Sequence, residues 1–200
     1  MRTALKWYVL FITVHTGIAP LKADEMLLPA LIALILICPP ALSAEPANPA
    51  ERAYNRAQAR FDKSEFVIAV HELNRAIKLG PRYARAYYLR ARCEHTLGAY
   101  QRAYEDCNKA ISLEPNGNTL YYFQRAMASM RLHKIDEALK DCDLVIKREP
   151  NYIGAYLIRA DLRYRKGQYS GAILDCDKVR KLNPNNEEVK KLRQRLMKMP

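Results

Sequence analysis

The chain has 200 residues, of which half are apolar and 27% are charged, so a wholly disordered chain is excluded. Only seven glycines are present, and the abundance of Ala, Leu, Arg, Lys and Glu favours helices over strands. The formal net charge of +12 attracts acidic proteins, anionic lipids and nucleic acids alike, so charge alone does not identify a partner.

Two apolar stretches lie within residues 1–44. The second, MLLPALIALILI, begins at Met26 and is followed by small residues, so it resembles a secretory signal cleaved before or after Ala44. Two alternatives stay open. Translation starts at Met26, or both stretches insert as an uncleaved anchor, each near the short limit of about 20 residues for a span.

These alternatives share one expectation about where the protein acts. Residues 1–44 are expected to be an export signal or a membrane anchor, and residues 45–49 a linker. The rest of the chain is then exported (periplasmic or secreted) or membrane-anchored.

From residue 50 onward the chain repeats itself. The clearest marks are AIKLGP, AISLEP, VIKREP and VRKLNP, which end at Pro81, Pro115, Pro150 and Pro184. When each proline is position 32, the units are 50–83, 84–118, 119–152 and 153–184. Alanine then recurs at position 8 as Ala57, Ala91, Ala126 and Ala160, and at position 20 as Ala69, Ala103, Ala138 and Ala172.

This spacing predicts a pair of antiparallel helices in each unit. Small residues at positions 8 and 20 let the two helices approach closely, and large apolar residues at positions 4, 17, 24 and 28 fill the space around them. Gly98 and Gly167 mark the turn between the helices in two units, and the proline ends the second helix. Because one hairpin cannot bury its apolar face alone, the hairpins must stack.

The pattern resembles that of the tetratricopeptide repeat (TPR) family, most closely in the second unit, YYLRARCEHTLGAYQRAYEDCNKAISLEP. The resemblance covers residues 50–184 and implies an all-α solenoid, a right-handed superhelix of antiparallel helix pairs. Residues 185–200 carry one apolar stripe on an otherwise basic helix, which predicts the capping helix that such arrays need. Nine helices are therefore expected.

The resemblance also implies a binding groove, because positions 2, 5, 9, 12 and 13 of each first helix line the concave face in TPR proteins. Position 5 is a row of large side chains here, and arginines flank it in the middle units. Such a groove suits an extended or helical peptide with apolar and acidic residues, although simple packing of the first helices stays open as an alternative. The candidate residues are Tyr54, Gln58, Arg85, Tyr88, Arg92, His95, Phe123, Met127, Arg131, Leu157, Asp161 and Tyr164.

One variant of the family is recognisable by its basic residues. TPR domains that hold the acidic C-terminal tails of heat-shock chaperones carry Lys and Asn at positions 5 and 9 of one unit. They add Asn at position 6 of the next unit, and Lys and Arg at positions 2 and 6 of the third. The residues here are Tyr54, Gln58, Leu89, Leu120 and Gln124 or, one unit later, Tyr88, Arg92, Gln124, Gly154 and Ile158. We therefore do not expect that activity.

A charged pair recurs in every unit, with arginine at position 7 and an acid at position 23. Arginine can bind a carboxylate through two hydrogen bonds, so these arginines are either hooks for a ligand or partners of the acids. We favour the pairing, which would fix the register of the hairpins, because the acids recur in step. The residues are Arg56, Arg90, Arg125 and Arg159, with Glu72, Asp106, Asp141 and Asp175.

Three of the five cysteines, Cys107, Cys142 and Cys176, fall at position 24. Stacked repeats hold equivalent residues about 10 Å apart, which is too far for a disulfide, so free buried thiols are expected. Cys93 and Cys107 in one unit are the pair to check.

No nucleophile–base set, glycine-rich phosphate loop, C-x-x-C pair or metal motif is recognisable, so we expect neither an enzyme nor a cofactor or metal. The leading hypothesis is an adaptor that binds another protein, in the assembly of a membrane or envelope complex, with membrane contact through residues 1–44. The alternative is a basic surface that binds nucleic acid or anionic lipid. No nucleic-acid motif supports that alternative.

Overall fold

The computed structural model describes residues 48–198, which form nine α-helices and no strand. The predictions for residues 1–44 and for most of the 45–49 linker lie outside the described residues. No helix among the described residues is long and apolar enough to cross a membrane. The helices are α1 (Pro49–Asp62), α2 (Phe66–Leu79), α3 (Ala84–Thr96), α4 (Tyr100–Leu113), α5 (Thr119–Arg131), α6 (Ile135–Arg148), α7 (Ile153–Arg165), α8 (Tyr169–Leu182) and α9 (Glu187–Leu196).

The first eight helices pair as four antiparallel hairpins, and α9 packs against the last of them. The recurring alanines are the reason that each hairpin closes tightly. All eight alanines at positions 8 and 20 are completely buried, so the two backbones approach without a large side chain between them. The predicted all-α architecture of stacked helix pairs is confirmed.

The turn inside each hairpin needs one residue in the left-handed region, always at position 15. Gly98 (φ 80°) and Gly167 (φ 74°) adopt it as predicted. In the other two hairpins the same place is taken by Ser64 (φ 60°) and His133 (φ 59°), which the sequence pattern did not reveal. A residue with a β-carbon is strained there, so these two turns are less stable than the glycine turns.

Successive hairpins are joined by a repeated tyrosine contact. Tyrosine at position 4 of each later unit is mostly buried and donates its hydroxyl to the carbonyl of the preceding proline. The proline carbonyl comes after the end of a helix and has no intrahelical donor, so the tyrosine satisfies it. The bonds are Tyr87 to Pro81 (3.3 Å), Tyr122 to Pro115 (2.8 Å) and Tyr156 to Pro150 (3.0 Å).

The recurring arginines and acids pair within each hairpin, as predicted. Arg125 donates from Nε and Nη2 to the two carboxylate oxygens of Asp141, at 2.8 and 2.7 Å. Its Nη1 donates to Asn108 of the preceding hairpin at 2.8 Å, a second contact that was not predicted. The equivalent pairs are Arg56–Glu72, Arg90–Asp106 and Arg159–Asp175 within hairpins, and Arg90–Asn74 and Arg159–Asp143 between hairpins. We call the arginines at position 7 and the acids at position 23 the ladder. The ladder therefore sets both the register of each hairpin and the stacking between hairpins.

The first helices face the inside of the array. Each first helix also contacts the first helix of the next hairpin, from α1 through α3 and α5 to α7. The last of them, α7, contacts α9 in the same way. In residues 48–198 the second helices α2, α4, α6 and α8 make no such contacts with each other. The array therefore curves with its first helices on the concave side and its second helices on the convex side.

The four cysteines of the described range are buried free thiols, which agrees with the prediction for Cys107, Cys142 and Cys176. Cys93 and Cys107 are not bonded to each other. Burial raises the pKa of Cys93 and Cys176 to about 11 and that of Cys142 to about 12, so these groups remain unreactive thiols at neutral pH.

Candidate functional site

The concave face carries a row of large side chains at position 5, but they are not equally accessible. Tyr88, Phe123 and Leu157 are half-buried and reach the surface of the groove. Tyr54 is only 7% exposed, which differs from the expectation of an open row. Its ring is packed against Tyr83, with the ring centroids 5.2 Å apart. The accessible row therefore begins at the second hairpin.

At the start of this row, a cavity of about 350 Å³ opens where the first three hairpins meet. Tyr88 contacts Tyr121 there, with 5.1 Å between ring centroids. The Tyr121 hydroxyl donates to the Glu114 carboxylate at 3.1 Å. The lining residues are Tyr54, Arg85, Tyr88, Glu114, Asn118 and Tyr121. Aromatic walls with a few polar groups at the rim are typical of binding pockets in proteins.

Three arginines of the predicted site lie on aromatic rings of neighbouring residues. A guanidinium stacked on a ring keeps its edge N–H groups free to donate. Unlike the ladder arginines, these three have no carboxylate oxygen within 4.0 Å among residues 48–198. The distances from guanidinium carbon to ring centroid are 5.0 Å for Arg85 over Tyr54, 4.3 Å for Arg92 over Phe61 and 5.2 Å for Arg131 over Tyr100.

His95 lies near the same end of the groove as Arg131 and does not add to its positive charge. Its ring centroid is 5.2 Å from that of Tyr100. Burial lowers the pKa of His95, and the charge of Arg131 lowers that pKa further, so the imidazole is neutral at pH 7. Met127, on the next first helix, is half-buried and adds a flexible apolar surface.

Further along, Phe123 packs edge-on against Tyr152, with centroids 4.8 Å apart. Gly154 makes room for this ring, because a β-carbon there would lie 2.9 Å from Phe123 Cζ. The missing side chain at Gly154 thus lets Phe123 lie against α7. Leu157 extends the apolar surface by one turn.

The remaining predicted site residues are already engaged with neighbours. Gln58 donates to Asp62 at 2.9 Å, and Asp161 pairs with Arg165 at 2.7 Å. Tyr164 packs against Tyr169 and is covered by Arg195 of α9, 5.4 Å from its centroid. These three residues lie toward the ends of the array, so the structure brings together mainly the central part of the predicted site.

Three tyrosines that pack against position 5 side chains of the groove were not among the predicted residues. Tyr83 and Tyr152 each directly precede a first helix, and Tyr121 is the third residue of α5. The aromatic residue two places after Pro81 and Pro150 was the available signal. Burial raises the pKa of Tyr83, Tyr121 and Tyr152, so their hydroxyls stay protonated and can donate hydrogen bonds.

Among residues 48–198, no three His, Cys, Asp or Glu side chains are grouped so that they could hold a metal.

Comparisons with known proteins find the same type of repeat. A family model described as "Tetratricopeptide repeat" matches residues 54–118 and 123–187. The chain is 27% identical over 165 residues to the "DnaJ homolog subfamily C member 7 homolog" of Dictyostelium discoideum. This alignment covers 75% of this chain and 30% of that protein. The chain thus spans less than a third of the curated relatives that it matches, 30% of this one and 17% of its human counterpart.

Solved structures show the same likeness. The Arabidopsis OM64 TPR domain is 25% identical, with a TM-score of 0.56, covering 57% of this chain and 94% of that one. The first TPR of Spaghetti (RPAP3), bound to the HSP90 peptide SRMEEVD, is 28% identical, with a TM-score of 0.53, covering 57% of this chain and 93% of that one.

Proposed function

Because this chain belongs to the tetratricopeptide repeat family, we propose that it is a protein-interaction scaffold whose concave groove binds a peptide segment of a partner protein. One observation carries the proposal. Half-buried aromatic and apolar side chains lie in this groove beside three arginines, none of which has a carboxylate oxygen within 4.0 Å among the described residues. The bound HSP90 peptide in the RPAP3 structure supports a protein partner, since that relative holds a peptide on the same fold.

The chemistry of the groove indicates the character of the peptide. Arg85, Arg92 and Arg131 can each donate paired hydrogen bonds to a carboxylate, which favours acidic residues. Tyr88 and Phe123 provide flat apolar surfaces for large side chains, which favours one or more apolar anchors between those acids. The peptide differs from a chaperone tail, because the Lys and Asn residues typical of tail binding are absent from the corresponding positions.

The place of action is proposed on the pattern of residues 1–44. If this segment is an export signal or an anchor, the scaffold works outside the cytoplasm or at a membrane face. Assembly of a membrane or envelope complex is the corresponding process. Detection of the tagged full chain in fractionated cells tests this part separately, and recovery with the cytoplasmic proteins alone would refute it.

Affinity capture tests the binding function. The full chain is used as bait against a membrane and envelope extract, beside a groove variant with Arg92→Gln and Arg131→Gln. A matched control, Arg75→Gln with Lys109→Gln, removes the same charge from exposed residues of the second helices. Bound proteins are identified by mass spectrometry at low and high salt, and the bound segment is then synthesised for titration.

The groove variant is expected to bind that segment at least about tenfold more weakly, since two charge-assisted hydrogen bonds are lost. The control variant is expected to bind like the wild type. Equal weakening of both variants, with binding lost at high salt, would instead support a surface that attracts nucleic acid or anionic lipid through its net charge.

A further inference from the structure

The connection between α4 and α5 differs from the other connections between hairpins. It spans residues 114–118, one residue more than residues 80–83 or residues 149–152. Those two shorter connections end in Tyr83 and Tyr152, directly before the next first helix. The longer one ends in Asn118, whose Oδ1 accepts a hydrogen bond from the Leu120 amide at 2.8 Å and so caps α5.

The two tyrosines have the same role in their hairpins. Tyr83 packs on Tyr54, and Tyr152 packs on Phe123, with centroids 5.2 and 4.8 Å apart. In each case, a ring from the connection covers the position 5 ring of the preceding first helix. In the second hairpin the position 5 ring is Tyr88, and the residue directly before the next first helix is Asn118 instead of a tyrosine.

The space beside Tyr88 is therefore partly open. Tyr88 does contact Tyr121, but Tyr121 is only 2% exposed and its hydroxyl is bound to Glu114, so it belongs to the core. The cavity of about 350 Å³ described above remains between Tyr88, Asn118 and Arg85. Three connections join complete hairpins within residues 48–198. Only the connection at residues 114–118, where the cavity lies, contains no aromatic residue.

We propose that this cavity receives an aromatic side chain of the partner peptide, in the place that Tyr83 and Tyr152 occupy in the neighbouring hairpins. The inference rests on the proposed function and specifies its anchor residue. Aromatic pairs with centroids 4.5–7 Å apart attract each other beyond simple burial, as the two internal pairs illustrate. An aliphatic side chain lacks this contribution.

The polar rim favours tyrosine among the aromatic residues. Glu114 and Asn118 provide an acceptor and a donor beside the rings, and a phenol hydroxyl can satisfy one of them. Arg85 at the rim is placed to bind an acidic residue close to the anchor in the peptide. The expected signature is thus a tyrosine with an acidic neighbour.

A titration followed by NMR tests the anchor directly. N-acetyl-tyrosinamide is added to the 15N-labelled full chain, with N-acetyl-leucinamide as the comparison. A single amide of this size binds with a Kd on the order of 1 mM. We expect N-acetyl-tyrosinamide to shift the amide signals of Gly117, Asn118 and Tyr88, and to bind about two- to tenfold more tightly than the leucine amide.

Two variants of one residue provide the control. Asn118→Tyr restores the covering ring within the chain, so it should abolish these shifts, while Asn118→Ser keeps a helix cap without a ring and should retain them. Equal shifts from both amides, shifts that persist in Asn118→Tyr, or no shifts in the wild type would each overturn the inference. If the groove still binds its acidic peptide, the anchor alone is wrong; if peptide binding also fails, the proposed function is wrong.

Discussion

Replacing Glu94 by glutamine is expected to stabilise the protein above neutral pH, because the native state holds this carboxyl where its charge is penalised. Glu94 is 5% exposed, and its Oε2 is buried without a hydrogen-bond partner. Burial raises the pKa of Glu94 to about 7, and the charge of Asp106 acts in the same direction. Arg90 and Arg102 act in the opposite direction, and Arg102 Nε is 3.4 Å from Glu94 Oε1.

The magnitude follows from the two protonation equilibria. The unfolded chain loses this proton near its ordinary pKa of 4.5, and the folded chain loses it near 7. Between these values the native state binds more protons, so its stability falls as the pH rises, and the full penalty persists above pH 7. At 1.36 kcal/mol per pKa unit, the shift from 4.5 to about 7 corresponds to a penalty of about 3 kcal/mol. Glu94→Gln removes it, with little effect below pH 4.5, where the carboxyl is neutral in both states.

Urea unfolding of the wild type and Glu94→Gln at several pH values between 4.5 and 8 measures this difference. The free energies of unfolding should nearly coincide at the acid end and diverge by about 3 kcal/mol at pH 8. Glu105→Gln, at an exposed glutamate on α4, should stay within about 0.5 kcal/mol of the wild type throughout. A constant difference between Glu94→Gln and the wild type at all pH values would refute the reasoning.

Three other substitutions test the packing by the midpoint of thermal or urea unfolding. His133→Gly should raise stability by about 0.5–1 kcal/mol, because His133 has a φ of 59°, and an unchanged midpoint would show that this turn is unstrained. Asp141→Ala should lower the free energy of unfolding by about 2–4 kcal/mol, because it leaves the half-buried guanidinium of Arg125 without its carboxylate. A decrease of less than about 1 kcal/mol would contradict this role of the ladder. Gly154→Ala should cost about 1 kcal/mol despite the better helix propensity of alanine, since its methyl group would meet Phe123, and a gain in stability would mean that the ring moves aside freely.

The parts of the fold that repeat were predictable, and the parts that depend on the offset between hairpins were not. The periodic alanines, the glycine turns and the pairing of Arg125 with Asp141 follow from spacing alone. The second bond of Arg125, to Asn108, joins two hairpins, and no periodicity within one unit reveals which residue it reaches. The same holds for Tyr54, whose burial results from a tyrosine at the end of the unit.

Exceptions to the repeat account for features that the sequence did not predict. Position 11 holds Glu94 in one unit only, and position 34 holds Gly117 where two other units carry tyrosine. A consensus pattern for the repeat does not predict what such deviating residues contact. Their effect on burial and on cavity volume depends on three-dimensional contacts with the next hairpin, so it becomes visible only in the structure.

Photo-crosslinking tests the central claim, that a partner peptide lies in the concave groove, most directly. A photo-reactive amino acid replaces Met127 on a first helix or Lys109 on the convex face, and the full chain is irradiated together with the captured partner. The account predicts an adduct with the partner from position 127 and none from position 109. An adduct from position 109 alone, or no adduct from position 127 while the partner is bound, would contradict it.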